Sequence, residues 1–473
     1  MSSPTNVELQ EQIDALRSDA DQIWILIAGF LVFWMHAGFA MLEAGSVRRK
    51  NTINILFKNV GTIAIGGLMY FFVGFSFAYG TQFTQSQFIG AGDFALTESE
   101  NDNKHNWFFQ FAFAATASTI LSGAIAGRAK LEAYFIACAF ITGFIYPVVS
   151  HWVWAPEGWL SAFQEPEDRI GYDTDNKTCG FIDYAGSGVV HLTGGCIGLM
   201  GAILVGARTG RFQNPDLFQP HNYALIAIGV LILWFGWYGF NCGSTLAFDG
   251  QNASKVAVTT TLSPSAACLT GMTIQYFRTG HWDIVVALNT VLAGLVSITA
   301  GCSVVTDWMA IFIGMIGAIV YMCASNLMIC AKLDDPVDAV AVHGASGLWG
   351  VLAVGIFAQP NDIRNAYPCP EARGNRTGLQ FAIQLAGACA IIAWAIITSG
   401  ILLLGIKFTV GLRVSAEEED IGLDASEHGA KAYEMPGHTD AKAIKKLESG
   451  KLGEKGSAVE LKETGSAKGN KNV

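Results

Sequence analysis

Two histidines sit inside separate apolar stretches, and the residues around them match. His191 lies in VVHLTGGCIGLMG and His343 in AVHGASGLWGVLA. Counted from each histidine, glycine recurs at the fourth position (Gly195, Gly347) and at the seventh (Gly198, Gly350), with a carboxylate upstream, Asp183 or Asp338. A neutral imidazole offers one donor and one acceptor, and it exchanges its proton near neutral pH. In hydrocarbon an unsatisfied ring nitrogen or an unpaired charge costs several kcal/mol, so an ionisable residue there marks a candidate functional site. A matched pair in repeated halves points to one shared polar point on a path through a membrane.

The elements that must carry such a pair are membrane helices. The chain of 473 residues is 51% hydrophobic and 14% charged, where soluble domains carry about 25% charged residues, and its mean hydropathy is +0.37. Apolar runs long enough to span a bilayer fall at roughly 23 to 45, 55 to 80, 107 to 127, 131 to 153, 184 to 206, 222 to 244, 254 to 277, 282 to 301, 306 to 330, 338 to 358 and 379 to 405. The expected fold is an all-α integral membrane protein of about eleven helices.

Lys and Arg are retained on the cytoplasmic side. The basic clusters Arg48-Arg49-Lys50, Arg128 with Lys130, Arg208 with Arg211, Arg278 and Lys332 follow alternate spans, which places the N-terminus outside and the C-terminus inside. Arg364, Arg373 and Arg376 in the last external loop run against this rule. The sequons at Asn176, Asn252 and Asn375 all fall in predicted external loops. Residues 1–22 form a polar external segment that carries ELQEQIDALRSDAD and no signal-peptide pattern, so the first span is expected to insert itself. Residues 23–407 form the membrane domain and 408–438 a cytosolic segment. Residues 439–473 hold too little apolar content for a core and read as a disordered tail. The net charge of −10 owes much to acidic loops and this tail and reads as solubility.

Most of the ten cysteines lie inside spans and pack as small apolar residues. Cys179 and Cys369 are external, and a bridge between them is one option. No metal-ligand spacing, cofactor motif or catalytic nucleophile emerges, so neither catalysis nor a bound metal or cofactor is expected, and nothing suggests nucleic-acid binding. The 53 glycines imply closely packed helices.

Plainer readings stand beside several of these residues. His36, His151 and His281 would each satisfy a neighbouring carbonyl. On position alone, Trp154 would be an interfacial anchor and Phe113 core packing. Asp334, Asp335 and Asp338 would cap the tenth helix, and Thr299 would either line a pore or bond back to its own helix.

The stretches GFAMLEAGSVRRKN, HWVW, DYAGSGVVH, WYGFNCGS, ITAGCSV, DDPVDAVAVHG and TVGLRV resemble the ammonium transporter (Amt/Mep/Rh) family over nearly the whole chain. Their wording is most similar to its plant and algal high-affinity branch. The resemblance implies a plasma-membrane homotrimer with one pore per subunit, each formed by two inverted five-helix repeats with an eleventh helix outside them. By the same resemblance Trp154, Ser244 and Phe113 recruit ammonium, Phe113 and Phe240 form a stacked gate, and His191 and His343 line the pore. Asp183 would order the outer vestibule, and Gln110 would take part in proton movement. His36 stands where the plant proteins commonly have Gln.

Physics supports these roles. A Trp face attracts a cation by about 0.5 to 2 kcal/mol, and a Ser hydroxyl accepts an N–H hydrogen bond that potassium cannot donate. A bare cation in a dry apolar pore meets a Born penalty on the order of tens of kcal/mol, which neutral ammonia largely avoids, so ammonium is expected to lose its proton. The family's plant members move net charge, so protons would cross too. The resemblance also marks Ser426, before Glu427-His428-Gly429, as a phosphorylation switch for a kinase. The competing expectations are an ammonium sensor that signals through the tail and a neutral gas channel.

Overall fold

The computed structural model describes residues 5–97, 103–172, 178–372 and 378–433, and within them the architecture is helical, with two isolated β-bridges. The long helices are α1 (Asn6–Ser46), α2 (Arg49–Tyr79), α3 (Lys104–Ala124), α4 (Leu131–Trp154), α5 (Ser187–Val205) and α6 (Tyr223–Thr245). They continue with α7 (Gly250–Thr279), α8 (Ile284–Thr299), α9 (Asp307–Cys330), α10 (Val340–Phe357) and α11 (Leu379–Thr409). Each predicted apolar run falls on one of these helices. Eight of them are long and apolar enough to cross a membrane, the exceptions being α3, α7 and α8.

α8 is apolar but only 16 residues long, and α3 departs from the simple pattern because it is buried. Every residue of α3 from Phe109 to Ala124 is buried, and a helix surrounded by protein can carry Ala, Ser and Thr where a lipid-facing one carries Leu and Ile. The polar run before the first span is helical as well, because Thr5 and Glu8 form a reciprocal capping box at the start of α1.

Small residues set the helix spacing. A Cβ on Gly229 of α6 would lie 2.5 Å from the Leu42 backbone nitrogen of α1, and one on Gly236 would lie 2.2 Å from Met35 Cγ. The two helices therefore cross at backbone distance. Cys179 and Cys369 form a disulfide that ties the loop before α5 to the loop before α11, an option the sequence left open.

At the basic end of the bundle, the tenth-helix carboxylates do three different jobs. Asp335 holds the first turn of α10 as expected, accepting from the backbone N–H groups of Val337 (3.3 Å) and Val340 (2.7 Å). Asp334 is not a cap. Its oxygens accept from Arg208 Nε (2.8 Å), Nη2 (2.9 Å) and backbone N–H (2.9 Å), and Arg211 lies 3.4 Å away. Asp338 is not a cap either: it accepts from the Tyr321 and Ser325 hydroxyls of α9, and it sits at φ 56°. A loop carboxylate facing a guanidinium gains more from the fork of N–H donors than from a helix end.

The segment after α11 folds back on this end. Short helices α12 (Ala416–Ile421) and α13 (Leu423–His428) follow a turn in which Arg413 donates to Glu419 Oε2 at 2.7 Å. Glu419 also accepts from Thr209, and Asp424 accepts from the Asn54 backbone at 3.0 Å.

The Arg208–Asp334 pair gives a stability expectation. Burial pushes the Asp334 carboxyl up, but hydrogen bonds and charge from Arg208, with charge from Arg128, outweigh it and bring it from 3.8 to about 2. Because the folded value is depressed, the pair's contribution is full above the ordinary value and is lost as pH falls through about 2. Asp334→Asn leaves Arg208 uncompensated at every pH, and a thermal-stability assay in detergent should show a loss of about 3 to 5 kcal/mol. An unchanged melting temperature would contradict the pair's importance.

Candidate functional site

Both histidines lie in π-helical turns that open their helices, His191 in Ser187–Leu192 and His343 in Val340–Ala345. Such turns widen the helix locally and recur at functional sites. Gly186 precedes the first of them at φ 104°, where a side chain would be strained, and a Cβ there would meet the Trp154 ring at 3.2 Å.

The repeated glycines explain how the rings meet. A Cβ on Gly195, four residues after His191, would lie 2.2 Å from the Gly344 nitrogen beside His343. A Cβ on Gly347, four residues after His343, would lie 2.6 Å from the Ser187 carbonyl and 2.9 Å from the Leu192 nitrogen beside His191. Each histidine turn thus rests on the glycine of the other repeat.

The two rings face each other with centroids 5.1 Å apart and planes 17° apart, and Nδ1 of His343 lies 3.2 Å from Nδ1 of His191. A hydrogen bond between two Nδ1 atoms needs one donor and one acceptor. With both rings neutral, one outer Nε2 then carries a hydrogen and the other a lone pair. Nε2 of His191 is buried without a partner. Exchange of the shared proton swaps the roles of the two ends, so the pair can relay a proton.

Aromatic rings continue the line. Phe240 stacks on His191 at 5.5 Å and on Phe113 at 4.0 Å, and Phe113 meets Trp154 edge-on at 5.9 Å. Trp154 is held by its Nε1, which donates to the Asp183 carbonyl at 2.8 Å. The Asp183 carboxylate accepts from the backbone N–H groups of Gly186 (3.1 Å), Gly188 (2.9 Å) and Val189 (2.8 Å), fixing the turn into α5. Ser244 donates to the Phe240 carbonyl at 2.8 Å and is half-buried at the end of α6. Gln110 lies one turn before Phe113 with its Oε1 buried and unpartnered.

The structure therefore brings Trp154, Phe113, Phe240, His191 and His343 into one column, with Asp183 behind it. Thr299 backs that column: it accepts from Trp237 Nε1 at 2.8 Å and bonds back to Leu295. Trp237 lies against His191 at 5.1 Å and 19°, and Phe39 of α1 lies 6.3 Å from His343. Neither residue stood out in the sequence. Trp237 had a signal, since it precedes Phe240 by three residues and so shares its helix face, whereas Phe39 is one apolar residue among many.

Other expectations are redistributed. Asn252 lies in the first turn of α7 and donates to the Tyr184 hydroxyl at 3.4 Å, so it is helical where a loop was predicted. Asn176 and Asn375 fall outside the described residues. Ser426 donates to the Gly422 carbonyl within α13. Both ring nitrogens of His151 lie against carbonyls, of Ala78 and Ser86, as the plainer reading held. His281 is in an exposed turn and not a membrane helix. His36 faces the Ala112 carbonyl without reaching hydrogen-bond geometry, so both its nitrogens are buried unpartnered.

A helical membrane bundle with an aromatic stack ending on two facing histidines defines a pore-type transport protein. Residues 23–433 match the family model described as the Ammonium Transporter Family, and the chain belongs to that family. It is 40% identical to ammonium transporter 1 member 3 of Solanum lycopersicum, over 87% of this chain and 92% of that one. It is 41% identical to ammonium transporter Amt2 of Archaeoglobus fulgidus, over 87% of this chain and 88% of that one. Among solved structures it superposes on one described as a sensor Amt protein, with TM-score 0.77 and 33% identity, covering 88% of this chain and 99% of that one. It also superposes on Mep2 of Candida albicans, with TM-score 0.75 and 27% identity, covering 85% of this chain and 87% of that one.

The Asp183 turn gives a direct test. Asp183→Ala leaves the three buried N–H groups of Gly186, Gly188 and Val189 without acceptors, each at a cost of about 1 to 3 kcal/mol. Surface abundance and thermal stability should both fall sharply, and wild-type values for both would overturn the assignment.

Proposed function

We propose that the protein is a plasma-membrane ammonium transporter that carries net charge inward with high affinity. The observation that supports this reading best is the unbroken column from Trp154 through Phe113 and Phe240 to the facing pair His191 and His343. Ammonium is recruited at Trp154 and Ser244, where ring and hydroxyl favour a hydrogen-bonding cation. It gives up its proton before the dry segment because only the neutral molecule escapes the desolvation cost. Ammonia passes the histidines, and the proton crosses along the same pair or beside it. Gln110, with its unpartnered oxygen near the gate, assists that proton.

All eleven long helices cross the bilayer, five and five in inverted repeats with α11 outside, N-terminus out and C-terminus in. Three copies assemble, each with its own pore. The protein acts as a transporter, not an enzyme, and its glycosylation candidates remain Asn176, Asn252 and Asn375. A second reading, an ammonium sensor signalling through its cytosolic segment, draws on the likeness to a protein described as a sensor and on the ordered packing of α12 and α13.

Ammonium-evoked current in oocytes tests the reading. It should saturate with ammonium, be absent with potassium and be weaker with methylammonium. His191→Asp or His343→Asp, which places an acid in the dry pore, should admit potassium or abolish conduction. Ammonium uptake without current would contradict electrogenic transport, and unchanged selectivity in both variants would remove the pair from the mechanism.

The tail offers a control point. Asp424 and Glu427 flank Ser426 and bond Asn54 of α2, and burial raises both carboxyls above their ordinary values. A phosphate on Ser426 adds about −1.5 to −2 charge there and should dislodge the segment. Ser426→Asp should lose current at normal surface abundance while Ser426→Ala keeps it, and equal currents would refute the switch.

A further inference from the structure

A buried carboxylate lies where the column meets the basic end of the bundle. The cavity on the His343 side of the histidine pair is lined by His343, Val342, Phe39, Thr119 and Glu43, among others. Glu43 belongs to α1, one turn beyond Phe39, and is 2% exposed. Its Oε2 accepts from the Ser122 hydroxyl at 2.5 Å. Its Oε1 lies 3.4 Å from the Thr119 hydroxyl, which is also 3.2 Å from Asn59 Oδ1. A hydroxyl has one hydrogen, so Thr119 serves one of these acceptors at a time. No ion pair to Glu43 occurs among the described residues.

A carboxylate kept only as structural glue is expected to have its acceptor sites filled, because a buried ion is expensive unless paired and hydrogen-bonded. Glu43 has the Ser122 hydroxyl as its one short donor, with Thr119 and Asn59 at longer reach, for about four lone-pair sites. Glu43 and His343 line the same small cavity, about 10 Å³ in volume.

We propose that Glu43 is the proton-exchange group at the cytoplasmic mouth of the pore, returning a proton to ammonia as it leaves. The proposal rests on the reading of the histidine column as the pore. In the inward direction the Glu43 carboxylate takes up the proton that has crossed the dry segment and becomes the neutral acid. The lone pair of ammonia then takes that proton as the acid O–H bond breaks, giving ammonium and regenerating the carboxylate. One ammonia and one proton enter the step and one ammonium leaves it. The charged and titratable groups facing Glu43 are Lys58 of α2, Tyr134 of α4 and His343 of α10. Lys58 Nζ is itself buried without a hydrogen-bond partner, and it faces the Glu427 carboxylate of α13 as well as Glu43. His36, two turns before Glu43 on α1, is excluded from this role because its ring lies beside Phe33 and Phe39 and is absent from the cavity lining.

The test compares wild type, Glu43→Gln and Glu43→Asp at matched surface abundance. Ammonium-evoked current and uptake of isotope-labelled ammonium are read together while cytosolic pH is varied. Gln keeps the shape and an oxygen that accepts from Ser122 but cannot exchange a proton, so current should fall at least about tenfold. Asp retains the acid and should restore most of the current with a shifted pH profile. A Glu43→Gln variant with wild-type current and pH profile would overturn the proposal, and so would a Glu43→Asp variant as inactive as Glu43→Gln. A wild type that takes up no ammonium would instead sink the pore reading itself.

Discussion

The cost of stripping water from a charge organises this molecule. Between Phe113 and His343 the column consists of buried aromatic rings and two imidazoles, and a cation there would lose nearly all its hydration. The fold answers with one polar feature, a histidine pair satisfied chiefly by itself. For two rings to meet in this way, the backbones of α5 and α10 must approach within the space of a missing Cβ. Gly195 and Gly347 supply that space, each against the other's histidine turn. Pairing, π-turns and glycines are one device, repeated in both halves of the chain.

Much of this was legible in the sequence because membrane segments must be apolar, and ionisable residues within them stand out. The histidines and the glycine spacing around them were visible as a repeat, and the long apolar runs fell on helices. Roles that depend on which partner a flexible side chain chooses were not legible. Asp334 looked like a helix cap, yet it bonds Arg208 on a loop more than a hundred residues away. Trp237 and Thr299 form one hydrogen bond across sixty-two positions, and no local pattern encodes it. Asn252 looked like a loop residue because the apolar run begins two residues later, whereas the helix starts at Gly250, where the Asp249 carboxylate accepts from the Asn252 N–H.

Polar groups are concentrated at the two ends of the column, and they differ in kind. At the Trp154 end the backbone does the ordering, through three N–H groups on the Asp183 carboxylate. At the other end charged side chains join in. Arg208 with Asp334 ties two short loops together, and Arg413 and Thr209 on Glu419, with the Asn54 backbone N–H on Asp424, hold the segment after α11. Arg208 and Asp334 are buried, so salt screens them little, whereas Arg413 is partly exposed and its pair with Glu419 is open to salt.

On the proposed reading, nitrogen and charge cross together through a segment too dry for an intact ion, with the histidine pair at its centre. The most direct measurement is the ratio of charge to nitrogen moved into proteoliposomes containing purified protein, for wild type and for His191→Ala with His343→Ala. The account predicts about one elementary charge per nitrogen in wild type, and loss of the coupled charge movement when both rings are removed. The same ratio and the same flux in the double variant would contradict it.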